Sequence, residues 1–592
     1  MQPLDLSRAL RALGLASAAL LAGCAAVALV RAHLAGRRPA PSADAPLFPA
    51  ALPAAHFAAA QDAIAQRLAE ALTLRTISYE SADGTPASLL PPRGDGGAPR
   101  KPAPAGGCLC CREALTGAAA PPPAAASGSL PTPAALEEAR GAFLAFHALL
   151  QRHYPRLHAA LERHVVNTYS LLYLWRPPAA DPAAAARQGI ALCAHMDVVP
   201  VPDAAEWEHP PFGGAVAGGF VHGRGAIDDK HSLLCICEAV EYLLGTGWAP
   251  SRPVLLCFGH DEELGGSDGA AHFPALIERL LPAHQRPQPH ARPLQWMLDE
   301  GLFLLSDLMP GLSARAAIVC TGEKGHVNVE LTVSAPAGHS SVPPPTSTIG
   351  VLARAVAALE AAPYPPHRAP AMALFQALLP AMPFAPRLLF ANEWLLGGAI
   401  TQLLLSKPST AAMLRTTTAV TIAQAGVKSN VLPPHALAIV NRRIHPRDSV
   451  AGVVARDSAV VARSAAGCGH EVKVRALEPL EPSPQSSSHP SAPGWRAITR
   501  ALQAAFGPQQ QPHERPVLAA PGLMLGNTDT KHFWGVAEDI YRHCPTELTL
   551  EGTSMFHGRN ERVGVANLAR LCTFYTGVIV AGQSKDAAAA AL

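Results

Sequence analysis

His195-Met196-Asp197 closes the apolar run Gly189–Ala194. Asp228-Asp229 ends the glycine-rich turn that begins at Gly223, Glu262-Glu263 follows the apolar run Val254–Phe258, and Asp299 follows Leu294–Leu298. His557 stands near the end of the chain. Imidazoles and carboxylates are the ligands zinc takes in hydrolytic sites. Each one here falls where a strand or helix is predicted to meet a loop. The ordered series points to hydrolysis of an amide by a water held between two metal ions.

Residue spacing assigns the first roles. His195 and Asp197 are two apart at a strand end, so both point the same way. The imidazole can then bind metal while the carboxylate orients its other ring nitrogen. Asp228 precedes the apolar helix predicted over His231–Leu244, where an aspartate can also serve as a cap. Adjacent carboxylates at a buried strand end, as at Glu262-Glu263, are costly unless a cation is present. An ordinary solvated acidic turn is the competing reading there. Charge counting favours the metal. Two divalent zinc ions bring four positive charges, offset by Asp228 or Asp229, Glu262 or Glu263, Asp299 and a bridging hydroxide. His195 and His557 complete the ligand set. The glutamate left over is free to take a proton from water, as general bases do. Chemistry alone does not choose within either acidic pair.

These groups need a scaffold, and the chain predicts one. Strands at Ser170–Trp175, Ile190–His195 and Val254–Gly259 alternate with helices at His231–Leu244 and Ala271–Leu281. That alternation predicts an α/β fold with a mainly parallel central sheet. Helical periodicity also runs over Phe57–Leu74 and Glu137–Arg163. From residue 325 to 478 the order changes to strand, helix, strand, strand, helix, strand, a ferredoxin-like βαββαβ module. This module is expected to be a lid or dimerisation domain inserted between catalytic parts at 54–324 and 479–592.

The N-terminal segment 1–45 reads as a signal-anchor or signal peptide with linker. Gly14–Val30 is an uncharged apolar run with Arg8 and Arg11 before it and Arg31, Arg37 and Arg38 after it. The catalytic part is therefore expected in a lumen or outside the cell, membrane-anchored or, alternatively, secreted. Residues 84–133 are rich in Pro, Gly, Ala and Ser and read as a disordered insertion. Cys108, Cys110 and Cys111 within it lack zinc-site spacing, while Cys193, Cys235, Cys237 and Cys257 sit in apolar runs and read as core. A net charge of +2 with only 16% charged residues leaves no footprint for nucleic acid.

The segments ALCAHMDVVPV, GRGAIDDK, HDEELGG, LDEG, AGHSSVPP and FHGRNE resemble the zinc-dependent aminoacylase and carboxypeptidase family. The stretches RTTTAVTIAQAGVKSNVLPPHALAIVNRRIHP and GLMLGNTDTKHFWGVAEDIYRHCP are similar to its branch containing carboxypeptidase S and the N-fatty-acyl-amino-acid synthase/hydrolase. The resemblance implies two zinc ions per chain, one held by His195, Asp228 and Asp299, the other by Asp228, Glu263 and His557. It makes Glu262 the base and Asp197 the support of His195. It implies that His339 stabilises the oxyanion, often in the site of a partner subunit, and that Asn430 and Arg442 contact the substrate carboxylate. Gly526-Asn527-Thr528-Asp529 departs from the pattern, since relatives more often carry glycine in place of Asn527.

The expected substrate is a peptide with a free C-terminal carboxylate or, alternatively, an N-fatty-acyl amino acid. A catalytically silent, membrane-tethered binding protein is the competing class. The apolar stretch Met372–Leu405 reads as packing or a dimer contact, or as a wall for an acyl chain.

Overall fold

A computed structural model describes residues 24–37, 51–79, 131–285, 290–507 and 514–583. The 84–130 part of the proline-rich insertion with its three cysteines, the linker over 39–50 and the start of the apolar N-terminal run lie outside the described residues.

The catalytic part is built on an eight-stranded sheet. Its first strands are β1 (Glu162–Val166), β2 (Ser170–Trp175) and β3 (Gly189–His195). Short β4 (Ala215–Ala217) and β5 (Phe220–His222) form a separate ribbon, which β17 (Arg562–Gly564) joins. The large sheet continues with β6 (Val254–Gly259), β7 (Leu294–Leu305), β8 (Arg315–Glu323), β15 (Val517–Met524) and β16 (Ala537–Leu548). Its order is β1-β2-β6-β3-β7-β16-β8-β15, and β6, β3, β7 and β16 run parallel at its centre. Strands β2, β3 and β6 are buried along their whole length. That is why they read as continuous apolar runs rather than alternating ones. The helices Lys230–Gly245 and Val565–Ala581 pack on this sheet, and Ala51–Thr73 packs against both of them. The helix predicted through Arg163 ends sooner: Pro155 cannot continue the hydrogen bonding, so Pro133–His153 stops, a short helix Pro155–Ala160 follows, and β1 begins.

The expected inserted module is present, with its own core around Val327, Val329, Leu331, Val440 and Val453. It contains β9 (Gly325–Ser334), β10 (Gly338–His339), β11 (Thr417–Ala425), β12 (Val431–Leu432), β13 (His435–Ile444) and β14 (Val472–Leu480). The sheet order β11-β13-β9-β14 is antiparallel throughout. Helices Thr348–Glu360 and Val450–Ala465 cover one face of it. Along β9 and β13 every second residue is buried, the alternation of a sheet with one covered face.

The stretch Met372–Leu405 is not part of that core. Its side chains Met372, Phe375, Leu378, Phe390 and Ile400 join the core of the catalytic part. The helix Ala369–Leu378 packs on β15 and covers the edge of the large sheet.

Candidate active site

Three neighbouring parallel strands carry the site, two at their C-terminal ends and the third midway along. His195 ends β3 and pairs with Gly259 at the end of β6. Asp261, Glu262 and Glu263 follow that glycine in a tight turn. The Asp299-Glu300 pair lies on β7, beside β3. The turn Gly223–Asp229 leads into the helix beginning at Lys230, and the Asp228–Asp229 peptide is cis. Asp229 occupies the helix cap position without a side-chain capping bond. Capping therefore does not account for either aspartate.

Asp228 stands at the centre. Its Oδ1 lies 3.0 Å from His195 Nε2 and its Oδ2 lies 2.8 Å from His557 Nε2. His557 Nε2 is 3.2 Å from Glu263 Oε2, and His195 Nε2 is 3.7 Å from Glu300 Oε1. The two oxygens of one carboxylate thus face two imidazoles, each with a further glutamate beside it. Ligand atoms of His195, Asp228 and Glu263 lie within 4.8 Å of one another, as do those of His195, Asp229 and Glu300. Glu263 Oε1 is buried without a hydrogen-bond partner. Burial pushes the carboxyl groups of Asp229, Glu262, Glu263 and Glu300 upward. A buried group of acids with an orphaned oxygen and paired imidazoles is a donor set that fits two divalent cations.

Asp299 and Glu300 both stand near His195. Asp299 is absent from both ligand groups, and its Oδ2 is buried without a hydrogen-bond partner. It lines a small cavity with His195, Glu262, Cys193, Phe273 and Asp529. Glu300 Oε1 comes within 3.7 Å of His195 Nε2. Neighbours on a strand point to opposite faces, so the two acids approach His195 from different sides.

Asp197 lies against His195. His195 Nδ1 lies 3.0 Å from the Asp197 carbonyl and 3.2 Å from its Oδ1. Ser78 Oγ donates to Asp197 Oδ2 at 2.5 Å, and the backbone N–H groups of Glu262 and Glu263 donate to the same carboxylate. Burial opposes the charged form of Asp197, but its bonds to His195 and Ser78 outweigh that and hold it below the usual carboxylate range. Asp197 thus orients His195 and both glutamates together. No spacing in the sequence singled out Ser78, 119 positions from its partner.

A buried ion pair holds the two motif loops together. Arg224 Nη1 meets Glu561 Oε2 at 2.6 Å, and Glu561 also accepts the N–H groups of Gly225 and Ile227. Arg224 Nη2 donates to the carbonyls of His557 and Gly558. This fixes the His557 loop over Asp228. Lys230 is fully buried and donates to the carbonyls of Ala71 and Leu74, at the C-terminal end of the Ala51–Thr73 helix. Its role is structural.

The inserted domain divides its expected residues. Arg442 is corrected: it is completely buried among that domain's own groups, with Nε 2.8 Å from Asp457 Oδ2, a bond to Thr418 and its guanidinium over Tyr364. No carboxylate from outside can replace those partners without unpairing Asp457. Arg443, one residue on, has the opposite orientation. Its Nη1 donates to Asn527 Oδ1 at 2.8 Å, and Asn527 Nδ2 donates to the Lys324 carbonyl at 2.7 Å. The departure at Asn527 thus links the two domains. His339 and Asn430 are exposed on the ribbon β10–β12, where Ser340 N–H donates to the Asn430 carbonyl. No hydrogen bond or ion pair among the described residues joins them to this chain's own ligand set.

Such a site can hydrolyse an amide. Zinc supplies Lewis acidity and an acidified water when bound. His195 with Asp228 or Asp229 and Glu300 would hold one ion, and Asp228, Glu263 and His557 the other. Glu262, held by its backbone N–H to Asp197 but outside the ligand groups, is free to accept and return a proton.

Comparison with known proteins agrees. The model of peptidase family M20/M25/M40 matches residues 191–581. The chain is 37% identical over 434 residues to N-fatty-acyl-amino acid synthase/hydrolase PM20D1.1 of Danio rerio, covering 73% of this chain and 79% of that protein. It is 36% identical over 439 residues to probable carboxypeptidase S-like 2 of Dictyostelium discoideum, covering 74% and 79%. Among solved structures, human carnosine dipeptidase 1 shares the fold, with a TM-score of 0.55 at 12% identity over 92% of this chain and 100% of that one. With its hydrolytic two-metal donor set in place, the chain belongs to peptidase family M20/M25/M40.

Proposed function

We propose that this metallohydrolase cleaves an amide whose amino-acid side carries a free α-carboxylate, and that Arg443 receives that carboxylate. The observation that carries this is the Arg443–Asn527 contact, which holds a guanidinium of the inserted domain against the catalytic part. A guanidinium fork suits a carboxylate. The named relatives include both carboxypeptidase S-like proteins and N-fatty-acyl-amino acid synthase/hydrolases. Turnover of N-oleoyl-leucine beside a blocked dipeptide separates the two substrate classes. Two zinc ions per chain with turnover of neither substrate would instead favour the silent binding protein.

We further infer a dimer. His339 and Asn430 share the exposed ribbon, where exposed Val342 and Val427 also stand, so this end of the inserted domain is suited to reach the site of a second copy. Mixing His339→Ala with an inactive Glu262→Gln chain tests it. Recovered activity supports exchange of His339 between copies, and its absence refutes it. The reading of Gly14–Val30 as an anchor, with the catalytic part in a lumen or outside the cell, belongs to the same proposal and is tested by flotation with vesicles.

A further inference from the structure

Residues 24–37 form a helix that is inside out for water. Its buried stripe is Ala28, Ala32 and Ala35, at helical spacing. Its large side chains point outward: Val27 is 49% exposed, Leu29 50%, Val30 57% and Leu34 57%. A helix on a water-soluble protein buries its large apolar face. Small residues at the contact with bulky ones outside is how helices pack in lipid.

The helix rests on Asn392, which is fully buried and donates from Nδ2 to the Ala28 carbonyl at 3.0 Å. Arg31 Nε donates to the Ala391 carbonyl. Asn392 lies at the break between the helices Phe384–Ala391 and Glu393–Leu405, which bend by 113°. No single described helix is long and apolar enough to cross a membrane, but this bent pair passes on length and composition. It exposes Phe384 (51%), Trp394 (54%), Leu395 (46%) and Leu403 (51%). Trp394 Nε1 donates to Asn392 Oδ1 at 3.3 Å, so the exposed indole stands beside the 24–37 helix. The two elements therefore present one apolar face, larger than scattered surface residues would make. The pair's one acid, Glu393, is matched by Arg368. Exposed Arg31, Arg37 and Lys407 border the face with positive charge.

We propose that the Phe384–Leu405 helix pair and the 24–37 helix together form a surface seated in the headgroup and acyl boundary of an anionic bilayer. The inference rests on the membrane reading of Gly14–Val30 and extends it: the catalytic part lies on the membrane instead of hanging from a tether. An indole at the edge of an apolar face and basic residues around it are the marks of an interfacial surface. Because the Ala369–Leu378 helix packs on β15, the seat is joined to the sheet that carries the site. An amphiphilic substrate would reach that site from the lipid.

Trp394 is its own probe. The full-length protein is reconstituted in vesicles of phosphatidylglycerol and phosphatidylcholine with brominated acyl chains, and tryptophan emission is compared with that of Trp394→Phe. The expected result is quenching in the parent that is largely lost in Trp394→Phe, with zinc content unchanged. Equal quenching in both proteins overturns the seat while leaving the anchor intact. Failure of the parent protein to float with the vesicles overturns the anchor reading and the seat with it. A Leu395→Asp/Leu403→Asp variant provides a second reading. In the full-length protein it should lose most of the Trp394 quenching while still floating with the vesicles. Unchanged quenching, or a face found cross-linked to a second copy, refutes the lipid assignment.

Discussion

Replacing Glu300 by Gln should remove one metal ion, whereas replacing Asp299 by Asn should leave both. The Glu300 carboxylate lies 3.7 Å from His195 Nε2 and is 7% exposed, so water screens it little. Two unit charges about 4 Å apart interact by about 4 kcal/mol at an effective dielectric near 20. At about 1.4 kcal/mol per tenfold, neutralising Glu300 weakens that ion by ~100–1000-fold, the amide oxygen remaining as a poorer ligand. Asp299 lies outside both ligand groups, although it lines a cavity with His195 and Glu262. The assay is zinc per chain after dialysis against a zinc buffer, followed by competition with a chelator. About one ion in Glu300→Gln and two in Asp299→Asn is the expected result. Loss of an ion from Asp299→Asn, with Glu300→Gln fully loaded, would refute the strand-phase argument and restore the assignment expected from sequence.

Three further outcomes are expected. Glu262→Gln should keep both ions yet lose ~100–10,000-fold in rate, while Glu263→Gln should lose metal; metal content and turnover of both proteins decide which glutamate is the base. Arg443→Ala should raise KM by ~10–100-fold with a near-normal melting temperature, whereas Arg442→Ala should destabilise the fold by ~3–5 kcal/mol because Asp457 is left buried and unpaired, a difference that denaturation beside kinetics will show. His543 is fully buried, and burial pushes it down to about 4 although its Nδ1 meets the carbonyls of Leu302 and Ile318. The fold therefore holds it neutral, so stability is retained above the unfolded value near 6.5 and lost as pH falls from there toward about 4. His543→Gln should lose less melting temperature between pH 7.5 and pH 5 than the parent does.

Much of the protein was legible without coordinates. Strands β2, β3 and β6 and the Lys230–Gly245 helix fall within a residue or two of their expected limits, because buried parallel strands and a long apolar helix leave unmistakable runs. The βαββαβ order of the insertion was readable from its change of rhythm. His195, Asp197, Asp228, Glu262, Glu263 and His557 were visible as ligand types at element ends, and the structure brings them together. Glu561 and Ser78 were not, because their partners lie hundreds or scores of residues away and a lone acid or serine carries no local signal.

The sequence by itself determined which segments carry the chemistry, since residue type and the boundary between apolar run and loop are local properties. Tertiary structure alone set which way each member of an adjacent pair points. Asp299 against Glu300, and Arg442 against Arg443, are neighbours on strands, where consecutive side chains point to opposite faces. Which face is free to meet another domain is set by what packs on the other one, here the Tyr364–Asp457 pair behind β13. For the same reason Met372–Leu405 could be read as apolar but not placed. Apolar composition says that water must be excluded, and only the packing of the Ala369–Leu378 helix on β15 shows which side of these helices is covered by protein and which is left bare.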